Sequence, residues 1–214
     1  MNQQTEHAFV LKSVAIIITF CFGYANLRYV VFGPEGLAHI PLYIMNKALS
    51  WSGLFIIGLS KVLRQSEISR MAGLIGAVLI GMHVVMSLLI LRPEYLGKFF
   101  NSLDGMRMTW NGEVSMLFGV LGLVFLMCLV WNTATVHKGV NKLSEIKSIF
   151  PRPINMLLFC GAIHVFFMGW EDWFEPSNWT KFGYFPPISM LSFFTAIIFL
   201  FARKPSLKTT IEES

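Results

Sequence analysis

Six apolar stretches, each close to the length a bilayer demands and joined by short connections, leave this chain few ways to fold. They run over about 12–32, 42–62, 71–91, 112–133, 153–170 and 187–202. A membrane helix needs about 20 mostly apolar residues, and inside lipid each backbone N–H and C=O must find its partner within the protein, as a helix arranges. Strand-like alternation and a GxGxxG turn after a strand are both missing, so a nicotinamide-binding domain is excluded. The expectation is all-α: residues 1–214 as a single transmembrane domain, an integral membrane six-helix bundle in contact with lipid. With only 14% of residues charged and a mean hydropathy of +0.61, nothing remains for a soluble domain. The first stretch exceeds a signal-peptide core and no small-residue cleavage site follows it, so it reads as a true span.

Charge sets the orientation, because cytoplasmic loops carry the excess of Lys and Arg. One side collects Lys12, Lys61, Arg64, Arg70, Lys138, Lys142, Lys147, Arg152, Arg203, Lys204 and Lys208, eleven in all, against six on the other (Arg28, Lys47, Arg92, Lys98, Arg107, Lys181). Both termini are therefore expected in the cytoplasm, with the chain in a plasma membrane or bacterial inner membrane. The net charge of +5 comes from those loops and calls for no nucleic-acid partner. Cys21, Cys128 and Cys160 fall in apolar segments without CxxC spacing and read as small buried hydrophobes.

Two histidines stand apart. His83 lies 13 residues after Arg70 and His164 lies 12 after Arg152, each inside an uninterrupted apolar run. An ionisable side chain there is costly without a partner, which makes each a site candidate. Helices one, three and five run outward, so the third and fifth are parallel, and both imidazoles reach one depth roughly 18 to 20 Å from the cytoplasmic surface. Facing imidazoles at one depth are what a bis-histidine haem requires, with one-electron transfer as its chemistry. Each alone also fits a buried, hydrogen-bonded imidazole. His7, His39 and His137 sit in polar surroundings and read as surface residues.

A haem brings two propionates, which need cations or hydrogen-bond donors in a low dielectric. Arg28, near the outer end of the first helix, and Lys47, one turn into the second, are the candidates, with snorkelling to headgroups as the alternative. Glu113 either pairs with one of them or sits at the interface. Gly73, Gly76 and Gly81 would let a neighbouring helix or a flat macrocycle approach the third helix. Trp110, Trp170, Trp173, Trp179 and Tyr184 form an interfacial belt, and Trp170 is also a candidate for the haem edge.

The run Ile163-His164-Val165-Phe166-Phe167-Met168-Gly169-Trp170, followed by an acidic and aromatic outer loop and Pro186-Pro187, resembles the STEAP family of six-transmembrane metalloreductases. In register with it, Arg70-Met71-Ala72-Gly73-Leu74 through Met82-His83-Val84 is similar to the family's haem-ligand helix, and Pro41 with Asn46-Lys47-Ala48-Leu49 to its second helix. Trp110, Glu113 and Gly119 keep the family's spacing. Coverage runs from about Pro41 to Lys204. The resemblance implies one haem b in the outer leaflet on His83 and His164, electrons passing from a cytoplasmic flavin to ferric or cupric ions outside, and a homotrimer. Where FAD would be gripped, the family's pattern is replaced by Lys142-Leu143-Ser144-Glu145 and Phe150-Pro151-Arg152-Pro153, and its third-helix Gln by Met71. These departures argue against tightly held FAD; Arg70 and Arg152 are the candidates for the flavin or donor side. The first helix starts near residue 12, so the reductant is expected to be a separate flavin reductase or a quinol. The wider ferric-reductase-like membrane domain, a related pattern, carries extra histidines about 13 residues from the first pair for a second haem; positions 70 and 151 here are Arg and Pro, so the resemblance implies one haem.

Two other classes stay open: a haem-bearing subunit or redox sensor that docks a partner enzyme without turnover, and a transporter with the histidines as a proton relay. The outer side carries seven acids (Glu35, Glu94, Asp104, Glu113, Glu171, Asp172, Glu175) against its six bases, so no net positive field concentrates an anionic ferric chelate.

Overall fold

A computed structural model describes residues 3–63, 66–101, 107–137 and 153–202. Six main helices follow in order: α1 (Gln3–Asn26), α2 (Met45–Val62), α3 (Ser66–Leu89), α4 (Trp110–His137), α5 (Pro153–Trp173) and α6 (Ile188–Phe201). Among the described residues there is no strand, only an isolated bridge between Phe100 and Met108. Five helical stretches are long and apolar enough to cross a membrane: His7–Val31, Leu37–Val62, Glu67–Leu89, Trp110–Trp131 and Pro153–Trp173. The sixth, expected over 187–202, is a helix of 14 residues, about 21 Å long at 1.5 Å per residue, against a hydrocarbon core of about 30 Å. Proline at 186 and 187 sets its start, since neither residue can donate into a preceding turn. At its other end Lys61 Nζ donates to the carbonyls of Phe199 and Leu200, both at 2.7 Å, where a cation satisfies the last turn.

α2 is the central helix. Trp51, Ser52, Leu54, Ile56 and Ile57 are all buried, and α2 packs against α1, α3, α5 and α6, while α5 also packs against α4 and α6. α3 and α4 barely touch each other. Gly76 lets α2 and α3 close: a Cβ there would lie 2.7 Å from Ile57 Cγ1 and 3.0 Å from Ile57 N. Of the two readings of the third-helix glycines, Gly73 and Gly76 thus serve a neighbouring helix, and Gly81 meets nothing within 4 Å. Apolar side chains at helical spacing remain bare outside, as Leu74, Val78, Met82 and Val85 on α3 and Leu117, Val120, Val124 and Met127 on α4. Such faces suit lipid contact.

At the end of the bundle that carries the α3–α4 and α5–α6 connections, these are tied together. Lys98 pairs with Asp172 at 2.7 Å and Asn111 donates to Glu171 at 2.7 Å. Trp173 is buried and donates to Ser189 Oγ at 3.0 Å, while Trp179 donates to the Trp173 carbonyl at 3.0 Å, so these two staple the loop to the bundle. The turn after Trp179 uses positive φ at Gly183 (62°) and Tyr184 (63°), and it carries Phe182 to the inner wall of the loop.

Candidate functional site

His83 on α3 and His164 on α5 meet. Their ring centroids are 6.5 Å apart with planes inclined by 70°, which fulfils the equal depth inferred from their distances to flanking charges. Each ring is held through Nδ1. That of His83 lies 2.6 Å from Asn46 Oδ1 and 3.2 Å from the Asn46 carbonyl; that of His164 lies 2.7 Å from the Ser115 carbonyl and 3.1 Å from its hydroxyl. A carbonyl only accepts, so each ring donates from Nδ1 and keeps its lone pair on Nε2. Metal-binding histidines are oriented in this way, the second nitrogen tied to an acceptor that fixes the tautomer. Asn46 is itself fixed, donating from Nδ2 to Ser87 Oγ at 3.1 Å.

Both histidines line one cavity of about 600 Å³, within the usual size of a cofactor or small-molecule site of about 300–1,000 Å³. Its wall is apolar at Leu54, Ile80, Leu123 and Leu157 and polar at Asn46, Ser87, Arg28 and Lys47. Besides Gly97 of the connection between α3 and α4, three glycines of the bundle helices line it, Gly119 and Gly122 on α4 and Gly161 on α5. Gly119 matters most, since a Cβ there would lie 3.1 Å from His164 Nδ1. Gly119→Val should therefore push the His164 ring off the Ser115 carbonyl. A fall in macrocycle uptake of about tenfold, the lower end of what disturbing a ligand's hydrogen-bond partner costs, is the expected result in a titration of the purified variant; unchanged uptake would count against the His164 geometry.

The two cations come from helix ends with an unusual twist. At Leu27–Val31 the end of the first helix widens into a π-turn, with Phe32 N donating to Leu27 O at 3.0 Å, and a second π-turn at Ile40–Ile44 leads into α2. Such insertions re-aim side chains and gather at functional sites. Here they bury Arg28, which is 3% exposed, and stand Tyr29 and Tyr43 around the cations. The Arg28 guanidinium carbon lies 4.4 Å from the Phe182 ring centre and 5.4 Å from that of Tyr29. Lys47 Nζ lies 4.4 Å from the Tyr43 ring and 5.0 Å from the Tyr29 ring. Neither side chain snorkels away, for both line the cavity.

Other expected site residues lie elsewhere. Trp170 is outside the cavity lining and stacks on Phe166 at 6.1 Å. Six residues past His164 it has turned about 240° around α5, whereas Met168, four residues on, stays on the cavity side. Arg70 pairs with Glu67 at 2.6 Å near the start of α3, far along the helix from His83. Arg152, with the basic connection 138–152, lies outside the described residues. Glu113 is exposed at the start of α4 and does not reach the cavity. His39 pairs with Glu35 at 3.1 Å. Sequence reasoning overlooked Ser115, Ser87, Tyr29, Tyr43 and Phe182. A serine four residues after His83, on the same helical face, was the one readable signal among them.

Compared with known proteins, the chain matches no protein-family model and no curated protein sequence.

Proposed function

We propose that this chain is a haem b protein of the membrane that passes electrons across the bilayer, with His83 and His164 as the axial ligands and metal reduction, of ferric or cupric ions on the outer side, as its role. The observation that carries this reading is the separation of the two rings. Two metal–nitrogen bonds of about 2 Å each, plus roughly 1 Å from each nitrogen to its own ring centre, put paired axial imidazoles about 6 Å apart between centroids; His83 and His164 stand at 6.5 Å. The free Nε2 of each, the apolar wall and the three glycines support it further. Among the described residues no cluster of three or more His, Cys, Asp or Glu could hold a bare metal ion, and two protein ligands suit a metal whose other positions a macrocycle fills. With both axial positions taken by imidazole, such a group supplies one-electron transfer and has no open position for oxygen chemistry. The chain's part is to fix the two ring tautomers, through Asn46 and Ser115, and to keep water from the apolar wall.

In this reading α6 closes the bundle as a sixth span, both termini are cytoplasmic, and chains associate as the trimer that the STEAP resemblance implies. The donor is a separate flavin reductase or a membrane quinol. The eleven-to-six charge asymmetry supports the orientation. Cysteine placed at Ser177 should label with a membrane-impermeant reagent in intact cells and cysteine at Ser144 should not; the reverse pattern would invert the path of the electrons.

The test of the function is the absorbance spectrum of the purified chain, with haem and flavin quantified against protein. One haem per chain, a low-spin b-type spectrum, little flavin and rapid oxidation of the reduced form by a ferric chelate are expected. Colourless protein after expression with ample haem would leave the histidine relay of a transporter as the better reading, and a coloured protein inert to ferric and cupric chelates would leave the sensor or docking subunit.

A further inference from the structure

We propose that the outer pole of the cavity is a carboxylate-binding subsite, formed by Arg28, Lys47 and the first turn of α6, and that it receives the carboxylate edge of the macrocycle held by His83 and His164. The inference rests on the haem reading and adds to it which groups select the cofactor's acidic edge. Its basis is a surplus of buried donors. Arg28 is 3% exposed, yet its Nε and Nη1 have no hydrogen-bond partner. A buried guanidinium is costly unless its donors are met by acceptors. Ring faces 4.4 and 5.4 Å from its central carbon ease the charge, but a ring face does not replace an acceptor in the guanidinium plane, where the fork of N–H groups suits a carboxylate.

Among the described residues the Tyr29 hydroxyl is hydrogen-bonded to the Arg28 side chain, but no group meets Nε or Nη1 and no carboxylate reaches the guanidinium. Asp172 is the one acid lining the cavity among the described residues, and it is engaged by Lys98 at 2.7 Å. Glu35, the acid on the segment between α1 and α2, lies 3.1 Å from His39 Nδ1 and within electrostatic reach of Lys47, but is not bonded to Arg28. Meanwhile Pro187, Ile188 and Ser189 bring the start of α6 to the same wall, without a side-chain cap on its first turn, so the positive end of that helix adds to the two cations. Ser192, one turn further, is 1% exposed and lines the cavity with its hydroxyl unpartnered. Two cations, a helix start and an unpartnered hydroxyl line one pole of the cavity, where among the described residues no carboxylate is bonded to Arg28 or Ser192.

A carboxylate could come from the macrocycle's own propionates, to which we commit, or from a free organic acid such as citrate. The full chain, purified in detergent and stripped of macrocycle, would be titrated with haem b and with its dimethyl ester, as wild type and as Arg28→Gln, Lys47→Gln and the double variant. Wild type should bind the ester at least about tenfold more weakly than haem, as expected when charge-assisted hydrogen bonds are lost. The variants should lose a similar factor for haem and little for the ester, so that the preference disappears in the double variant. Arg28→Lys should restore part of it, and a low-spin spectrum at saturating haem checks that each variant is folded. Equal binding of haem and ester by wild type would overturn the proposal. So would variants that bind haem as wild type does while losing citrate or ferric citrate binding to the haem-loaded protein, which would assign the pole to a free acid. A wild type that takes up neither macrocycle overturns the haem reading itself; uptake of both without discrimination overturns the subsite alone.

Discussion

Replacing His83 or His164 by Ala is expected to abolish the low-spin b-type spectrum and to lower macrocycle affinity by at least about 100-fold, because even the outer partners of a metal-bound histidine are worth about 10–100-fold. Either substitution should suffice. The two rings stand 6.5 Å apart on separate helices, so neither can replace the other, and His39, beside the cavity-lining Tyr95, is engaged with Glu35. The fold should survive the change. Each ring borders a cavity that is already there, and Asn46, which would lose His83, keeps its bond to Ser87 at 3.1 Å. Size-exclusion behaviour like that of wild type should therefore accompany the lost spectrum. A variant that keeps full haem and an unchanged spectrum would remove that histidine from the ligand set, and with it the electron-transfer reading.

The histidine pair was legible because an apolar run makes an ionisable residue conspicuous and the helical rise converts distance from a charge into depth. Its surroundings were not. Asn46 and Ser115 reach the rings from α2 and α4, and which neighbouring helix turns a polar residue toward which histidine depends on packing, on which local periodicity is silent. The glycines show the same limit: Gly76 lies against Ile57, while Gly119, Gly122 and Gly161 reach the cavity wall, yet all are equally small in the sequence. Arg28 and Lys47 were readable as cations near span ends, but the burial of Arg28 and the half-buried place of Lys47 go with the two π-turns, and no pattern in Leu27–Val31 or Ile40–Ile44 announces an extra residue per turn. The ends of α6 agree with the stretch expected over about 187–202, and their physical cause was only partly legible. Hydropathy continues up to Ala202, and prolines 186 and 187 and the carbonyls capped by Lys61 hold the helix to 14 residues.

Asn46→Leu and Ser115→Ala should differ sharply although both remove the polar side chain beside a histidine. Asn46 offers His83 its side-chain oxygen at 2.6 Å, with its own carbonyl further off at 3.2 Å. Leucine of similar size takes away the shorter bond and the link to Ser87, leaving His83 with one weaker acceptor and a freer ring. Macrocycle affinity should fall by about 10–100-fold, the range for loss of a ligand's orienting partner. Ser115 is different, for its carbonyl makes the short contact to His164 at 2.7 Å, and its hydroxyl donates instead to the His164 carbonyl at 3.0 Å. Alanine keeps that backbone acceptor, so affinity should change by less than about threefold, within the value of one net neutral hydrogen bond. Titration of both purified variants checks the contrast. Equal losses would mean that side-chain polarity near the rings, rather than the acceptor at each Nδ1, governs the site. A large loss in Ser115→Ala alone would reverse the order of the two contacts and assign the weaker hold to the α3 histidine.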